Sequence, residues 1–298
     1  MATVRTCRAL APEMVIGEAQ VSRVEEQRIR NPIRYFTQDA ALIEANRDQL
    51  APHFLDGEDM VDLVFQSWIV EVGSRVALID PCSGNDRPHA VKYFDMLDVP
   101  FIERMAETGY RPEDIDFVVC THLHYDHCGW NTRLRDGKWV PTFPNARYML
   151  NRQEVARWGG DRANHEDKTD NDGVFERSVQ PVIDAGLVDL VSGRHRLSAE
   201  LEIEPAPGHT IGHQMVHLQS AGRHAFFTGD CFHHPIQLIE PTVFFGSVED
   251  RDQIVATRRR LVQLSSELDA ALIAGHVPAP YAVRARQGAE GVRLEVAG

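Results

Sequence analysis

Along this chain apolar residues alternate in short bursts more often than they recur at helical spacing. Val61-Asp62-Leu63-Val64-Phe65 and Trp68-Ile69-Val70-Glu71-Val72 predict two short strands, and Gly73-Ser74 supplies a turn before a third, Arg75 to Asp80. Together they read as an antiparallel meander that closes at Asp80-Pro81. Helical spacing marks Gln38 to Leu50, where Ala41, Leu42, Ala45 and Leu50 share a stripe after the extended entry Asn31-Pro32. Val91 to Met105 is predicted helical as well. Pro112 to Asp116 then leads into the apolar strand Phe117-Val118-Val119-Cys120.

The second half repeats the plan. Asp136-Gly137 between Leu134 and Val140 signals a hairpin, and Ala146 to Leu150 predicts a strand. Asn151 is placed to cap a helix, with Glu154 completing a capping box. Residues 160–173 are polar and acidic and read as a mobile loop near a substrate entrance. Leu187 to Val191, Leu201 to Ala206, His213 to Gln219 and His224 to Thr228 predict strands. Ser247 opens a helix whose buried stripe is Ile254, Val255, Leu261, Val262 and Leu268, and Ala270 to Ala274 is a last buried strand. Strand-rich halves with helices between them predict an α/β domain of two mostly antiparallel or mixed sheets packed face to face, helices outside. Residues 1–60 read as an N-terminal extension, a cap or an interface arm of a homodimer, and residues 61–298 as the main domain.

Composition narrows the class of partner. With 43% hydrophobic and 25% charged residues the chain has the make-up of a soluble globular protein. A formal charge of −13 argues against nucleic acid, because phosphate binding needs a basic stripe. The lone basic cluster, Arg258-Arg259-Arg260, reads as a solvated helix face. No stretch approaches the roughly 20 apolar residues of a membrane span, and Met1 to Gln20 lacks the apolar centre of a signal peptide. Five cysteines, Cys7, Cys82, Cys120, Cys128 and Cys231, without paired spacing fit a reducing cytoplasm. Cys128 and Cys231 are read as packing residues and not as metal ligands.

The chemistry concentrates at strand ends. Thr121-His122-Leu123-His124-Tyr125-Asp126-His127 sets three imidazoles and a carboxylate directly after a buried strand. Gly208-His209, Gly229-Asp230 and Gly275-His276 repeat the arrangement after three other strands. Four strand ends delivering His or Asp form the pattern expected when loops converge on a cation. The spacing suits two metals: His122, His124 and His209 for one, Asp126, His127 and His276 for the other, with Asp230 as a bridge. Nitrogen and carboxylate donors without thiolate favour two zinc ions, with iron and manganese as rivals.

At these residues the sequence resembles the metallo-β-lactamase superfamily, in its His-x-His-x-Asp-His, distal His, distal Asp, distal His form. The resemblance runs from about residue 61 to 281 and fills all seven ligand positions. It implies a four-layer αββα sandwich with two metals at one sheet edge. His124 stands where the diiron flavoproteins have Glu, and Asp230 where zinc β-lactamases usually have Cys or a non-ligand, so antibiotic hydrolysis is disfavoured. The chain looks closer to the N-acyl-homoserine-lactone lactonases and the methyl parathion hydrolase-like group. In those lactonases a tyrosine follows the bridging aspartate by three positions; here the residue is His233.

The expected reaction is attack of a bridging hydroxide on a carbonyl, opening lactones or cleaving carboxylic esters. Two zinc ions less Asp126, Asp230 and one hydroxide leave about +1, suited to a neutral substrate and an oxyanionic transition state. The resemblance implies that Asp126 relays a proton to the leaving group, and His233 is the candidate electrophile or acid. His213 and Thr210 are read as residues that orient ligands. Trp130, Phe232, Phe244 and Phe245 are candidates for a pocket that takes an apolar part of a small neutral molecule. The competing activities are phosphotriester or phosphodiester hydrolysis and a mononuclear iron oxidoreductase of the persulfide dioxygenase type.

Overall fold

The computed structural model describes residues 12–159, 171–289 and 291–297. The stretch read as an entrance loop therefore lies outside the described residues up to position 170, as does Cys7. In chain order the elements are β1 (Met14–Ile16), β2 (Ala19–Pro32), α1 (Ala40–Leu50), β3 (Met60–Val72), β4 (Arg75–Ile79), α2 (Phe101–Glu107), β5 (Phe117–Val119), α3 (Tyr125–Cys128), β6 (Thr132–Arg135), β7 (Lys138–Pro141), β8 (Arg147–Asn151) and α4 (Arg152–Gly159). There follow α5 (Gln180–Asp184), β9 (Val188–Val191), β10 (His195–Arg196), β11 (Leu201–Pro205), β12 (Gln214–Ser220), β13 (Arg223–Gly229), α6 (Ile236–Ile239), α7 (Arg251–Leu268), β14 (Ala271–Ala274), β15 (Ala282–Gly288) and β16 (Gly291–Val296).

Two seven-stranded sheets carry the chain, ordered β1-β2-β3-β4-β5-β8-β9 and β10-β11-β12-β13-β14-β15-β16. Both are mixed. In the first, β3 and β4 are antiparallel whereas β4, β5, β8 and β9 run parallel. In the second, β13 and β14 are the parallel pair and the rest are antiparallel. The contacts divide into two compact units, residues 1–26 with 65–192 and residues 27–64 with 193–298. Each has its own core: Val118, Leu123, Tyr148 and Leu150 centre the first, and Phe226, Leu261, Leu272 and Ala274 the second.

Three of the elements read from the sequence differ, each for a local reason, and β1, β2, β10, β15 and β16 lie where no strand was read. The two strands read on either side of Gln66-Ser67 are one strand, β3. Ser67 is polar but fully buried, because its hydroxyl donates to the Asp80 carbonyl at 2.6 Å. The helix read over Val91–Met105 is confined to α2. Pro100 bars the residue before it from helical geometry, and residues 86–97 close into a loop through Asp86 N–H to Leu97 O (3.1 Å) and Met96 N–H to Arg87 O (2.7 Å). Helix α7 starts at Arg251 and not at Ser247, since Asp250 is the cap and its carboxylate accepts the Gln253 N–H at 2.9 Å. Ile254, Leu261 and Val262 are buried as read, while Val255 and Leu268 are half-buried.

Arg258 corrects the reading of the basic cluster. It is 1% exposed, and its guanidinium donates to the carbonyls of Cys231 (2.8 Å), Pro241 (2.8 Å) and Val243 (2.7 Å). Burial pushes its pKa down to about 10. Asp136-Gly137 does form the hairpin turn between β6 and β7, both residues having positive φ, 50° and 73°. Among the described residues no helix is long and apolar enough to cross a membrane.

Candidate metal centre

In the first unit the short strand β5 ends beside β4, whose last pair is Ile79 with Val119. Asp80 follows in left-handed geometry (φ 53°) and turns its carboxylate back over the strand ends. Oδ1 accepts the Thr121 N–H at 2.7 Å and Oδ2 the Thr121 hydroxyl at 2.9 Å. His127 Nδ1 lies 3.0 Å from the same Oδ2. His127 Nε2 lies 3.7 Å from Asp126 Oδ2. His122 and His127 are buried, and His122 Nε2 lies 2.9 Å from His124 Nδ1.

Gly129 makes this approach sterically feasible. A Cβ there would lie 1.8 Å from the Ser83 carbonyl oxygen, so no other residue fits directly after Cys128. The buried Arg87 then fastens the outgoing segment, donating to the carbonyls of Gly129 (2.5 Å) and Thr132 (2.9 Å).

In the second unit three imidazoles surround Asp230. Nε2 of His209, His233 and His276 lie 3.4, 3.0 and 3.1 Å from its carboxylate oxygens. The His209, Asp230 and His233 donor atoms are close enough together to hold one ion. His276 donates through Nδ1 to the Val64 carbonyl at 3.1 Å, since a carbonyl can only accept. Its Nε2 lies 3.1 Å from Asp230 Oδ1. Imidazole nitrogens gathered on a carboxylate are the donor types that hold a cation, so the donor set fits a metal. His213 Nε2 accepts the Asp230 N–H at 3.1 Å and so orients that residue, in keeping with the reading of His213. The His209 loop is fixed to α7 by Asp250 N–H to Gly208 O (3.0 Å) and Glu249 N–H to His209 O (3.1 Å). A Cβ on Gly208 would lie 2.2 Å from the Ile254 nitrogen.

His233 is buried, its ring parallel to His276 (5° between planes) with centroids 5.3 Å apart. Burial lowers its pKa, and the Asp230 carboxylate opposes that shift. Among the described residues its Nδ1 has no hydrogen-bond partner. Of the four aromatic candidates, Phe245 has its ring against His233, 5.3 Å between centroids, and stacks on Phe36 at 4.3 Å. Phe244 lies beside the guanidinium groups of Arg251 (4.7 Å) and Arg258 (5.8 Å). Phe232 is fully buried in the second core. Trp130 packs in the first core, stacked on Phe101 with its indole N–H on Glu26 at 2.8 Å. Burial pushes the Cys128 and Cys231 thiols well up, which keeps them protonated.

Sequence reasoning missed Asp80, Glu154 and Gln237. Asp80 carried the signature of the other site residues, an aspartate ending an apolar strand, but was read only as the close of the meander. Glu154 is not a capping partner: Asn151 caps alone, accepting the Gln153 N–H at 2.8 Å, and Glu154 is fully buried. Gln237 Oε1 accepts the N–H groups of His233 (2.7 Å) and His234 (3.2 Å), a role with no sequence signal.

Residues 65–276 match the family model described as the metallo-beta-lactamase superfamily. An N-acyl homoserine lactonase from a Bacillus species is 23% identical over 116 residues, 39% of this chain and 38% of that protein, so the chain aligns with well under two thirds of that relative. Among solved structures, the hydrolase AbOPH of the beta lactamase superfamily superposes with a TM-score of 0.76 at 21% identity, covering 96% of both chains. AidC, a dizinc quorum-quenching lactonase bound to its product N-hexanoyl-L-homoserine, does so with a TM-score of 0.73 at 18% identity, again over 96% of both. At these identities the structural likeness speaks to the fold.

Proposed function

Because the chain belongs to the metallo-β-lactamase superfamily, we propose that it is a hydrolase that uses two zinc ions to open lactones or cleave carboxylic esters. In this reading His122, His124 and His209 would hold one ion, Asp126, His127 and His276 the other, and Asp230 would serve both. The observation that supports it is the placement of three imidazole nitrogens, from His209, His233 and His276, within 3.4 Å of the Asp230 carboxylate. When bound, the ions supply Lewis acidity and bring the pKa of a coordinated water to about 7.

The chain's own residues do the rest. Asp80, with Oδ2 3.0 Å from His127 Nδ1, would steady that ring while Nε2 serves as the ligand atom. His213 holds the backbone of Asp230 through its N–H, leaving both carboxylate oxygens for the bridge. Asp126 carries a proton toward the leaving alkoxide. His233, three residues after Asp230, is the electrophile or acid that steadies the carbonyl oxygen as charge develops there. Phe245 and Phe244 favour a neutral substrate with an apolar portion, and the lactonases among the similar proteins favour a lactone.

A panel of lactones, carboxylic esters and an aryl phosphotriester, run on the zinc-loaded wild type and on His233→Ala, tests this reading. The highest kcat/KM is expected on a lactone or ester, falling about 10²-fold in His233→Ala. Preference for the phosphotriester overturns the ester assignment, and an unchanged kcat/KM in the variant removes His233 from the chemistry.

A further inference from the structure

Leu123 separates His122 from His124, and its peptide groups are gripped from two sides. Its N–H donates to Glu154 Oε2 at 3.1 Å, and its carbonyl accepts from Asn171 Nδ2 at 2.8 Å. Glu154 sits in the first turn of α4 and is fully buried; Asn171 is 5% exposed. The same Glu154 oxygen accepts the Trp158 indole N–H at 3.1 Å, and the Trp158 ring meets His124 edge-on at 5.6 Å between centroids. The Leu123 side chain is itself buried in the core. The torsions about Leu123 set the distance between the two flanking imidazoles, and these contacts fix them.

A fully buried carboxylate is costly to keep, several kcal/mol unless its oxygens are well bonded. Capping α4 does not account for it, because Asn151 already does that. We propose that Glu154 and Asn171 are positioning residues that set the spacing of His122 and His124 and thereby the affinity of that pair for zinc. The inference rests on the reading of His122 and His124 as zinc ligands. Glu154 acts as a hydrogen-bond acceptor in the right place, so a glutamine, whose amide oxygen can accept from both N–H groups, replaces it.

The test is zinc affinity of the full-length protein, measured by competition with a chromophoric chelator, alongside thermal unfolding of the metal-free form. Glu154→Leu and Asn171→Ala are expected to weaken one of the two zinc sites 10- to 100-fold. Glu154→Gln is expected to stay within about threefold of wild type, and the visible spectrum of the cobalt-substituted protein to change in Glu154→Leu but not in Glu154→Gln. Wild-type affinity in both Glu154→Leu and Asn171→Ala overturns the proposal, even if the metal-free form melts earlier, because an anchor for Trp158 alone would affect only stability. Should Glu154→Leu not fold, Asn171→Ala and Glu154→Gln decide, and a loss in Glu154→Gln equal to that in Asn171→Ala contradicts the acceptor role. His122→Ala must lose one zinc; if it keeps both, the ligand reading fails, and the proposal with it.

Discussion

His234 uses both ring nitrogens in its neutral form. Nε2–H donates to the Phe54 carbonyl at 2.7 Å, and Nδ1 accepts the Ile236 N–H at 3.2 Å. Burial pushes its pKa down to about 4, partly offset by the Phe54 bond. An unfolded histidine titrates near 6.5, so between that value and about 4 the unfolded chain binds a proton that the folded chain refuses. The stability that depends on neutral His234 is thus full above pH 6.5 and is lost as pH falls toward 4, roughly 3 kcal/mol in all. In urea unfolding, His234→Phe should be less stable than wild type at pH 7.5, and the gap should close toward pH 4.5. A gap that stays constant with pH contradicts a buried neutral imidazole. Its neighbour His233 was singled out from the sequence by its distance from Asp230 in the chain. His234 had no signal, because what makes it special is a carbonyl 180 residues away.

At the level of elements, hydrophobic patterning located the central strands, missed β1, β2, β10, β15 and β16, and divided β3 where a polar side chain is satisfied by a distant partner. Ser67 broke the apolar run and so divided β3 on paper. Arg258 is the converse case. Three arginines in a row read as solvent-facing, yet the helical stripe that buries Ile254 and Leu261 also buries Arg258, and only the carbonyls of the 231–243 segment make that tolerable. Those carbonyls belong to the loop that carries His233, so α7 is fastened to the loop by one guanidinium. Arg258→Lys keeps the charge but cannot serve three divergent acceptors. It is expected to lower unfolding free energy by about 3 kcal/mol, read by urea denaturation at pH 8. A lysine variant as stable as wild type would show that charge, and not the fork, is what the loop requires. The misplaced helix before α2 came from apolar residues without a cap, and Pro100 was the signal that should have moved its start.

For the molecule as a whole, the motif at His122–His127 led to the metallo-β-lactamase fold, two mixed sheets with helices, before any coordinates, and that fold is present. In the second unit His209, Asp230 and His276, the proposed distal ligands, follow strand ends or glycine turns, which is why separate strand ends in the sequence were legible as one chemistry. Glu154, Asn171 and Gln237 were not legible: they meet the backbone N–H and C=O groups of Leu123, His233 and His234, and such contacts leave no periodicity or spacing to read. The proposal that these residues hold two zinc ions for the hydrolysis of an ester bond is tested by metal content measured on the purified, active protein. Two zinc ions per chain are expected, with hydrolysis lost on chelation and recovered only when both ions return; one iron per chain with oxygen uptake would contradict the proposal.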